Sequence, residues 1–424
     1  MKKNSSTKDL TLLSNERLYL KKNHKQLFKF PLIRNFSSKN VKFYSFHVGF
    51  KKKHNDLLIV VFKYPVRVAS VYSQTSTPSA PILWDKKNNN GFCKLLIINA
   101  GNANAHTGLR GIENIDRYTK KAAGFFKCNI EEILVSSTGV IGEQLNPMLI
   151  SNIFKKNNFD KSTNLLVAAK SISTTDTYPK TVMKKIKINN KNIQIFGFAK
   201  GSGMIFPNMG TMLSYIFIDA NISKSILDKL LKKHLDSSFN SITVDGDTST
   251  SDTLLLFSLL NIKEKIISNK KDIDKISNAL KEVMFNLAFQ IVSDGEGISK
   301  LIKVNVSGAR TYIQASLVAL SIANSPLVKT AIAGQDANWG RVIMAIGKAE
   351  KNVDQSKIKL KFGNNLTAIK GSMYKRIQIK KLDNYMKNNI IEINVDLGLG
   401  IFKRTIFSSD LTHEYIRING DYRS

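Results

Sequence analysis

The chain has 424 residues, 42% of them hydrophobic, only two cysteines and a formal net charge of +32. That length supports a large core and two domains. Two cysteines, Cys93 and Cys128, exclude a disulfide-built scaffold and suit a reducing cytoplasm, and no uninterrupted apolar run approaches the ~20 residues of a membrane helix. The lysines are spread along the whole chain and are not interleaved with aromatic residues as in an RNA-binding module. The charge therefore reads as solvated faces, and neither nucleic acid nor membrane is an expected partner.

Residues 1–40 are basic, carry only Asp9 and Glu16 as acids, and show no period. They read as a frayed or loosely docked extension. Their composition leaves targeting open, but no apolar signal-peptide core is visible. From Val41 the pattern tightens. Leu57 to Phe62 and Leu95 to Ile98 read as buried strands. The small polar run Asn99 to Gly108 follows, and its His106 reads as a structural group. Gly111 to Phe126 is an expected helix. Ile133-Leu-Val then runs into Ser136-Ser-Thr-Gly-Val-Ile-Gly142, a strand-to-glycine turn of a kind that can present polar groups to an oxyanion. Leu165 to Ser171 reads as a helix. Ser173 to Lys180 is polar, with the properties of an N-cap or turn. Ile193 to Ala199 alternates as a strand does.

Lys200 to Ala220 reads KGSGMIFPNMGTMLSYIFIDA. A glycine-broken turn leads to Thr211, which opens a β-favouring apolar run. If the Gly210–Thr211 bond is cut, Thr211 gains an α-amine, a group that ordinarily titrates near ~8 and can act as base for its own hydroxyl. Glycine before threonine suits self-cleavage, because no side chain blocks the attacking oxygen. None of the six histidines lies in a catalytic pattern, which favours amine over imidazole.

Beyond Ala220, Ile226, Leu227, Leu230 and Leu231 share a helix face. Ile242 to Asp252 is a polar, acidic loop. Its aspartates around Gly246 resemble a calcium loop, but the glutamate an EF-hand demands is missing, so no metal is expected. Ile273 to Leu287 repeats at helical spacing and Ala309 to Asn324 is amphipathic, so both are expected helices. Gly334 to Arg341 reads as a structural loop with Trp339 as packing. Residues 347–388 are Lys-rich without recognisable chemistry, and Ile390 to Leu397 alternates as a strand.

These stretches carry a resemblance. KGSGMIFPNMGTML is similar to the cleavage signature of the ornithine acetyltransferase (glutamate N-acetyltransferase) family, with Gly210 where alanine is usual. The segments at Asn99–Gly108, Ser137–Glu143, Ser173–Lys180, Ile242–Asp252, Asp294–Lys300, Gly334–Arg341 and Asp410–Ser424 resemble further family motifs in the same order. Ala337 departs from the usual proline, and His106 from the usual cysteine. The resemblance implies a layered α-β-β-α sandwich with a second, smaller α/β domain. It implies self-cleavage between Gly210 and Thr211 into an α chain, 41–210 behind the extension 1–40, and a β chain, 211–424. Thr211 would be the nucleophile, the Thr138 hydroxyl and Gly139 N–H the oxyanion hole, and Thr174, Lys200, Thr211, Glu296, Asn419 and Ser424 the substrate contacts. The implied reaction moves acetyl from N2-acetyl-L-ornithine to L-glutamate in arginine biosynthesis, in the cytoplasm. It needs no cofactor, and acetyl-CoA is an open second donor. The implied assembly is a heterotetramer of two α and two β chains. The alternatives are an N-terminal-nucleophile amidase or aminopeptidase with water as acceptor, and a non-enzymatic basic binding protein.

Overall fold

The computed structural model describes residues 27–206, 212–350 and 352–420. In chain order the strands are β1 (Val41–Phe46), β2 (Leu57–Tyr72), β3 (Phe92–Asn102), β4 (Ile133–Val140), β5 (Lys180–Ile188), β6 (Lys191–Lys200), β7 (Leu213–Ile218), β8 (Ile242–Thr243), β9 (Thr253–Ser258), β10 (Leu301–Ala309), β11 (Lys359–Phe362), β12 (Asn365–Ile369), β13 (Ser372–Met373), β14 (Ile390–Asp396) and β15 (Phe402–Ser409). The helices are α1 (Ala80–Asn88), α2 (Gly108–Phe126), α3 (Pro147–Ser151), α4 (Leu165–Ile172), α5 (Lys224–Leu235), α6 (Lys270–Val292), α7 (Tyr312–Ala323), α8 (Pro326–Ala333), α9 (Trp339–Ala349), α10 (Ile379–Met386) and α11 (His413–Gly420).

Among the described residues the strands form two sheets, giving the layered α/β class expected from the sequence. The first runs β4-β3-β2-β9-β7-β6-β5, with β1 also on β2; the second, smaller unit runs β13-β12-β11-β14-β10-β15-β8. β7 and β9 are parallel and buried end to end, LSYIFI beside TLLLFS, as central strands covered on both faces must be. One face of the first sheet packs Ile195, Ile216 and Leu254 on α5 and α6. The other packs Phe43, Phe196, Phe198 and Phe217 on α4, through Leu165, Ala168 and Ile172. A further cluster seats α1 and α2 on β3 and β4. The second sheet is covered by α7, α8 and α9. Helix α6 also reaches that sheet, where Phe285 and Phe289 meet Phe407 of β15 edge-on. Among the described residues no single helix is long and apolar enough to cross a membrane.

The first sheet is strongly curled. β4 and β6 stand five places apart in the strand order, about 24 Å in a flat sheet. Yet Lys200 Nζ at the end of β6 lies 3.2 Å from Thr138 Oγ1 on β4, closer than a lysine arm alone could bring it. The sixteen-residue β2 contains Pro65, which has no N–H to give a ladder, and its pairing with β3 shifts register between Val61 and Val66. That irregularity lets one strand serve β1 along its first half and β9 along its second.

Several sequence expectations need adjustment. The helix expected from Ala309 begins at Tyr312, where Thr311 caps it by accepting from the Gln314 N–H at 3.0 Å; Leu301–Ala309 is strand β10. The expected Gly334–Arg341 loop ends inside a helix, because Asn338 accepts from the Arg341 N–H and opens α9 at Trp339. Trp339 does pack on the second core. The lysine-rich stretch after Gly347 contains β11, β12, β13 and α10. β5, KTVMKKIKI, gives no clear sequence signal because its exposed lysines hide the strand; it is an edge, where lysine discourages further pairing.

The N-terminal extension is not loose over its described part, residues 27–40. Ile33 N–H donates to Thr181 Oγ1 at 2.8 Å, Ser37 N–H to Gln194 Oε1 at 2.9 Å, and Ser38 Oγ to Asp219 Oδ1 at 2.9 Å. Phe36 stacks on Phe196 with centroids 4.7 Å apart, Phe30 stacks on Tyr178, and Leu32 is buried. The segment is an irregular strap, so its apolar residues follow neither helical nor strand period and give no sequence signal. Residues 1–26 lie outside the described residues. Removing 1–40 should lower unfolding free energy by at least about 2 kcal/mol relative to removing 1–26, the burial of one aromatic side chain; paired urea melts check this.

Candidate functional site

The site begins where β3 and β4 end side by side. Gly101 and Gly139 are paired in the parallel ladder, with φ of +118° and +135°. A Cβ on Gly139 would lie 2.2 Å from the Gly101 carbonyl carbon. Only glycine allows this approach and this backbone. The turn is held from behind: Ser137 Oγ donates to Asn99 Oδ1 at 2.6 Å, and Asn99 Nδ2 to the Asn102 carbonyl at 2.8 Å. Thr138 is buried, and its hydroxyl oxygen accepts from Lys200 Nζ at 3.2 Å. An oxygen that accepts from an ammonium turns its own hydrogen elsewhere, so the Thr138 hydroxyl is set up as a donor.

Beneath Lys200 lies a buried ion cluster. Lys180 at the start of β5 is fully buried, with Nζ 2.6 Å from both Asp176 and Asp294. Asp176 also accepts from Gly201 N–H at 2.7 Å and Thr174 N–H at 3.0 Å. Asp294 also takes the Thr177 N–H and hydroxyl. Burial opposes ionisation of Asp176, but Lys180, Lys200 and the Gly201 N–H outweigh it and hold its carboxyl well below the usual range. Lys180 is driven the other way: burial disfavours its charge, and the two carboxylates restore it and raise its pKa. For Lys200 burial wins over the attraction of Asp176, and its pKa is lowered.

A third wall comes from the second unit. Glu296 is buried in the turn after α6, where its N–H donates to the Ser202 carbonyl at 3.0 Å. Asn419 on α11 donates from Nδ2 to Glu296 Oε2 at 2.9 Å. Gly203 and Gly297 make room. A Cβ on Gly203 would meet Glu296 Oε2 at 2.4 Å, and one on Gly297 would meet Tyr415 N at 2.4 Å. Asp245 accepts from Met204 and Ile205 N–H at 2.6 and 2.9 Å. Asp252 accepts from Met212 N–H at 2.7 Å. Both aspartates thus anchor the chain on either side of the 207–211 segment. β6 and β7 pair Lys200 with Leu213, which brings the chain back beside Lys200 directly after that segment.

The model of the ArgJ family matches residues 42–424. The chain belongs to the ArgJ family. It is 45% identical over 377 residues to the arginine biosynthesis bifunctional protein ArgJ of Bartonella henselae, across 88% of this chain and 92% of that protein. It is 42% identical over 380 residues to the protein of the same name from Brucella suis, again across 88% and 92%. Among solved structures, ArgJ of Bacillus halodurans is similar at 37% identity and a TM-score of 0.47, over 50% of this chain and 99% of that one. As a member of the ArgJ family, the chain is an enzyme of arginine biosynthesis.

Of the residues singled out in this ArgJ-family sequence, Thr138, Gly139 and Lys200 lie together. Glu296 and Asn419 form a second pair that acts electrostatically on Lys200 through Glu296. Thr174 is half-buried and joins the group through Asp176. Gly210, Thr211 and Ser424 lie outside the described residues. His106 is exposed in a left-handed turn. Sequence reasoning missed the Asp176–Lys180–Asp294 cluster, whose one local trace is the Asp-to-Lys spacing of four in TTDTYPK. It also missed the anchoring roles of Asp245 and Asp252, because a backbone N–H partner is invisible in sequence.

Lys180→Met would leave two buried carboxylates without their cation and should destabilise the fold by about 3–5 kcal/mol at neutral pH. A depressed Asp176 pKa adds stability that is present above the unfolded value of ~3.9 and lost as pH falls through the folded value. The gap between parent and variant should therefore close as the pH of chemical denaturation is taken below about 4.

Proposed function

We propose that this chain cuts itself between Gly210 and Thr211, giving an α chain of residues 41–210 behind the extension 1–40 and a β chain of 211–424. Thr211 then moves acetyl from N2-acetyl-L-ornithine to L-glutamate. The observation that carries this reading is the meeting of Thr138, Gly139 and Lys200 beside Leu213, the residue two places after Thr211.

The chemistry follows from those groups. The freed Thr211 amine takes the hydroxyl proton as Oγ attacks the acetyl carbonyl, and the developing oxyanion is met by the Thr138 hydroxyl and the Gly139 N–H. The pairing of Gly139 with Gly101 leaves no room for a Cβ beside that N–H. The proton passes to the departing ornithine nitrogen, leaving an acetyl ester on Thr211. The glutamate amine then attacks the ester and restores the hydroxyl, in a ping-pong cycle. Lys200 supplies positive charge for an amino-acid carboxylate, and Glu296, with Asn419 holding one of its oxygens, supplies negative charge for an amine. Thr174 and Ser424 complete the substrate contacts. No cofactor enters this sequence, and acetyl-CoA is a second acetyl donor compatible with the same ester. The reaction is assigned to the cytoplasm and to a heterotetramer of two α and two β chains, on the strength of the family.

Intact mass should resolve two fragments for the parent chain and one uncut chain for Thr211→Ala. Acetyl transfer from N-acetylornithine to glutamate should vanish in that variant. Acetate release without transfer to glutamate would select an amidase instead, and an uncut parent that still transfers acetyl would overturn the scheme. Thr138→Val removes one donor and should lower kcat by about 100- to 1000-fold while leaving cleaved, folded protein; steady-state assay of the purified variant decides.

A further inference from the structure

A third lysine belongs to the same neighbourhood as Lys180 and Lys200. Lys51 lies in the loop between β1 and β2, and the wholly buried Asp56 fixes that loop. Its carboxylate accepts from the Val48, Gly49 and Lys51 N–H groups at 2.7, 3.0 and 2.9 Å. The Asp56 carbonyl accepts from the Ala100 N–H at 2.8 Å, and a Cβ on Gly101 would lie 2.6 Å from the Phe50 carbonyl oxygen. The loop therefore rests on the strand end that pairs with Gly139. From there the half-buried Lys51 side chain reaches the end of α4, where Nζ donates to the Ser171 and Ser173 carbonyls at 3.3 and 3.1 Å. Ser173 is bonded to Thr174, whose N–H is held by Asp176, and Asp176 also holds the N–H of Gly201, the neighbour of Lys200. Lys51 thus bridges the glycine-paired turn and the Thr174 segment, within electrostatic range of Asp176 and Lys200.

Both acceptors on Lys51 are neutral carbonyls, so its ammonium keeps a net charge and a third N–H to give. The nearby carboxylates are engaged elsewhere, Asp56 by backbone N–H groups and Asp176 by Lys180, Thr174 and Gly201. Burial lowers the Lys51 pKa and the like charge of Lys200 adds to that, while Asp56 and Asp176 oppose it. An anion bound near both lysines would relieve their repulsion. The two amino acids of the proposed reaction differ at the side-chain end: ornithine carries an ammonium there, glutamate a carboxylate. Glu296 suits the first and repels the second. Lys200 can meet one carboxylate, and glutamate has two. We propose that Lys51 receives the second carboxylate of glutamate and so sets the enzyme's preference for a dicarboxylic acceptor. The inference rests on the reading of Lys200 and Glu296 as contacts to the amino acids exchanged. A lysine that only capped the carbonyls of α4 would serve both acceptors alike.

The test supplies the purified full-length enzyme with N-acetylornithine and compares two acceptors, glutamate and isotope-labelled ornithine. Lys51→Met keeps the length of the arm and removes its charge. It should lower transfer to glutamate relative to transfer to labelled ornithine by about 10- to 100-fold, the range for one hydrogen bond to a charged group. Both acceptors are read on one preparation, so a smaller folded fraction cancels from the ratio. Lys51→Arg, which keeps the charge, should restore most of the preference. Should Lys51→Met not accumulate as folded protein, Lys51→Gln decides in its place, because it keeps a donor for the Ser171 and Ser173 carbonyls. A parental ratio, or loss of both transfers together in folded protein, would overturn the proposal in favour of a capping role. A parent enzyme that transfers no acetyl to glutamate would instead remove the proposed reaction itself, so the two failures are distinguishable.

Discussion

The structure turns on one buried cation. Lys180 sits between Asp176 and Asp294, each at 2.6 Å, in a setting with no exposed surface on the lysine. Those carboxylates come from the polar run before β5 and from the turn after α6, and Asp176 also grips the Gly201 N–H at the exit of β6. Three segments distant in sequence are thereby locked at one point. Desolvating three charges costs several kcal/mol each, and the arrangement persists only because every oxygen finds a partner. A hydrophobic filling of that volume could hold the segments together, but it could not aim Gly201 and Lys200.

That lock sets the electrostatics above it. With Asp176 held ionised, Lys200 lies over a negative base and beneath the Thr138 hydroxyl, and burial lowers its pKa only against that attraction. Positive Lys200 and negative Glu296 stand as separate poles, each with a hydrogen-bonding neighbour, Thr138 for one and Asn419 for the other. An amino acid carries both an amine and a carboxylate, so a site with both poles can orient one without a metal or cofactor. The curl of the first sheet brings Lys200 within range of the glycine-paired turn. Flat, β4 and β6 would stand too far apart.

The same geometry separates two kinds of aspartate. Asp245 and Asp252 resemble a metal loop in sequence, yet Asp245 accepts with both oxygens, and Asp252 with Oδ1, from backbone N–H groups that flank the 207–211 segment. They hold the two ends of that segment to the scaffold. Asp252 differs from Asp245 in having an oxygen left over among the described residues.

The sequence by itself determined the elements marked by apolar runs or by helical period, β3 and β7 and the long face of α6 from Ile276 to Leu287, and through the family resemblance the layered α/β class. It also determined the family, because glycine-rich turns such as Thr138-Gly139 and Glu296-Gly297 put a residue type at a position that no other type can occupy. Tertiary structure alone decided the docking of 27–40, the edge strand β5 hidden by its lysines, and the entry of α9 at Trp339. It alone decided the ion cluster as well. The reason is range. Period and steric exclusion are properties of a few consecutive residues, whereas the partner of Lys180 at Asp294 lies more than a hundred positions away, and Lys180 keeps its charge in that buried place only because the fold brings the carboxylates to it.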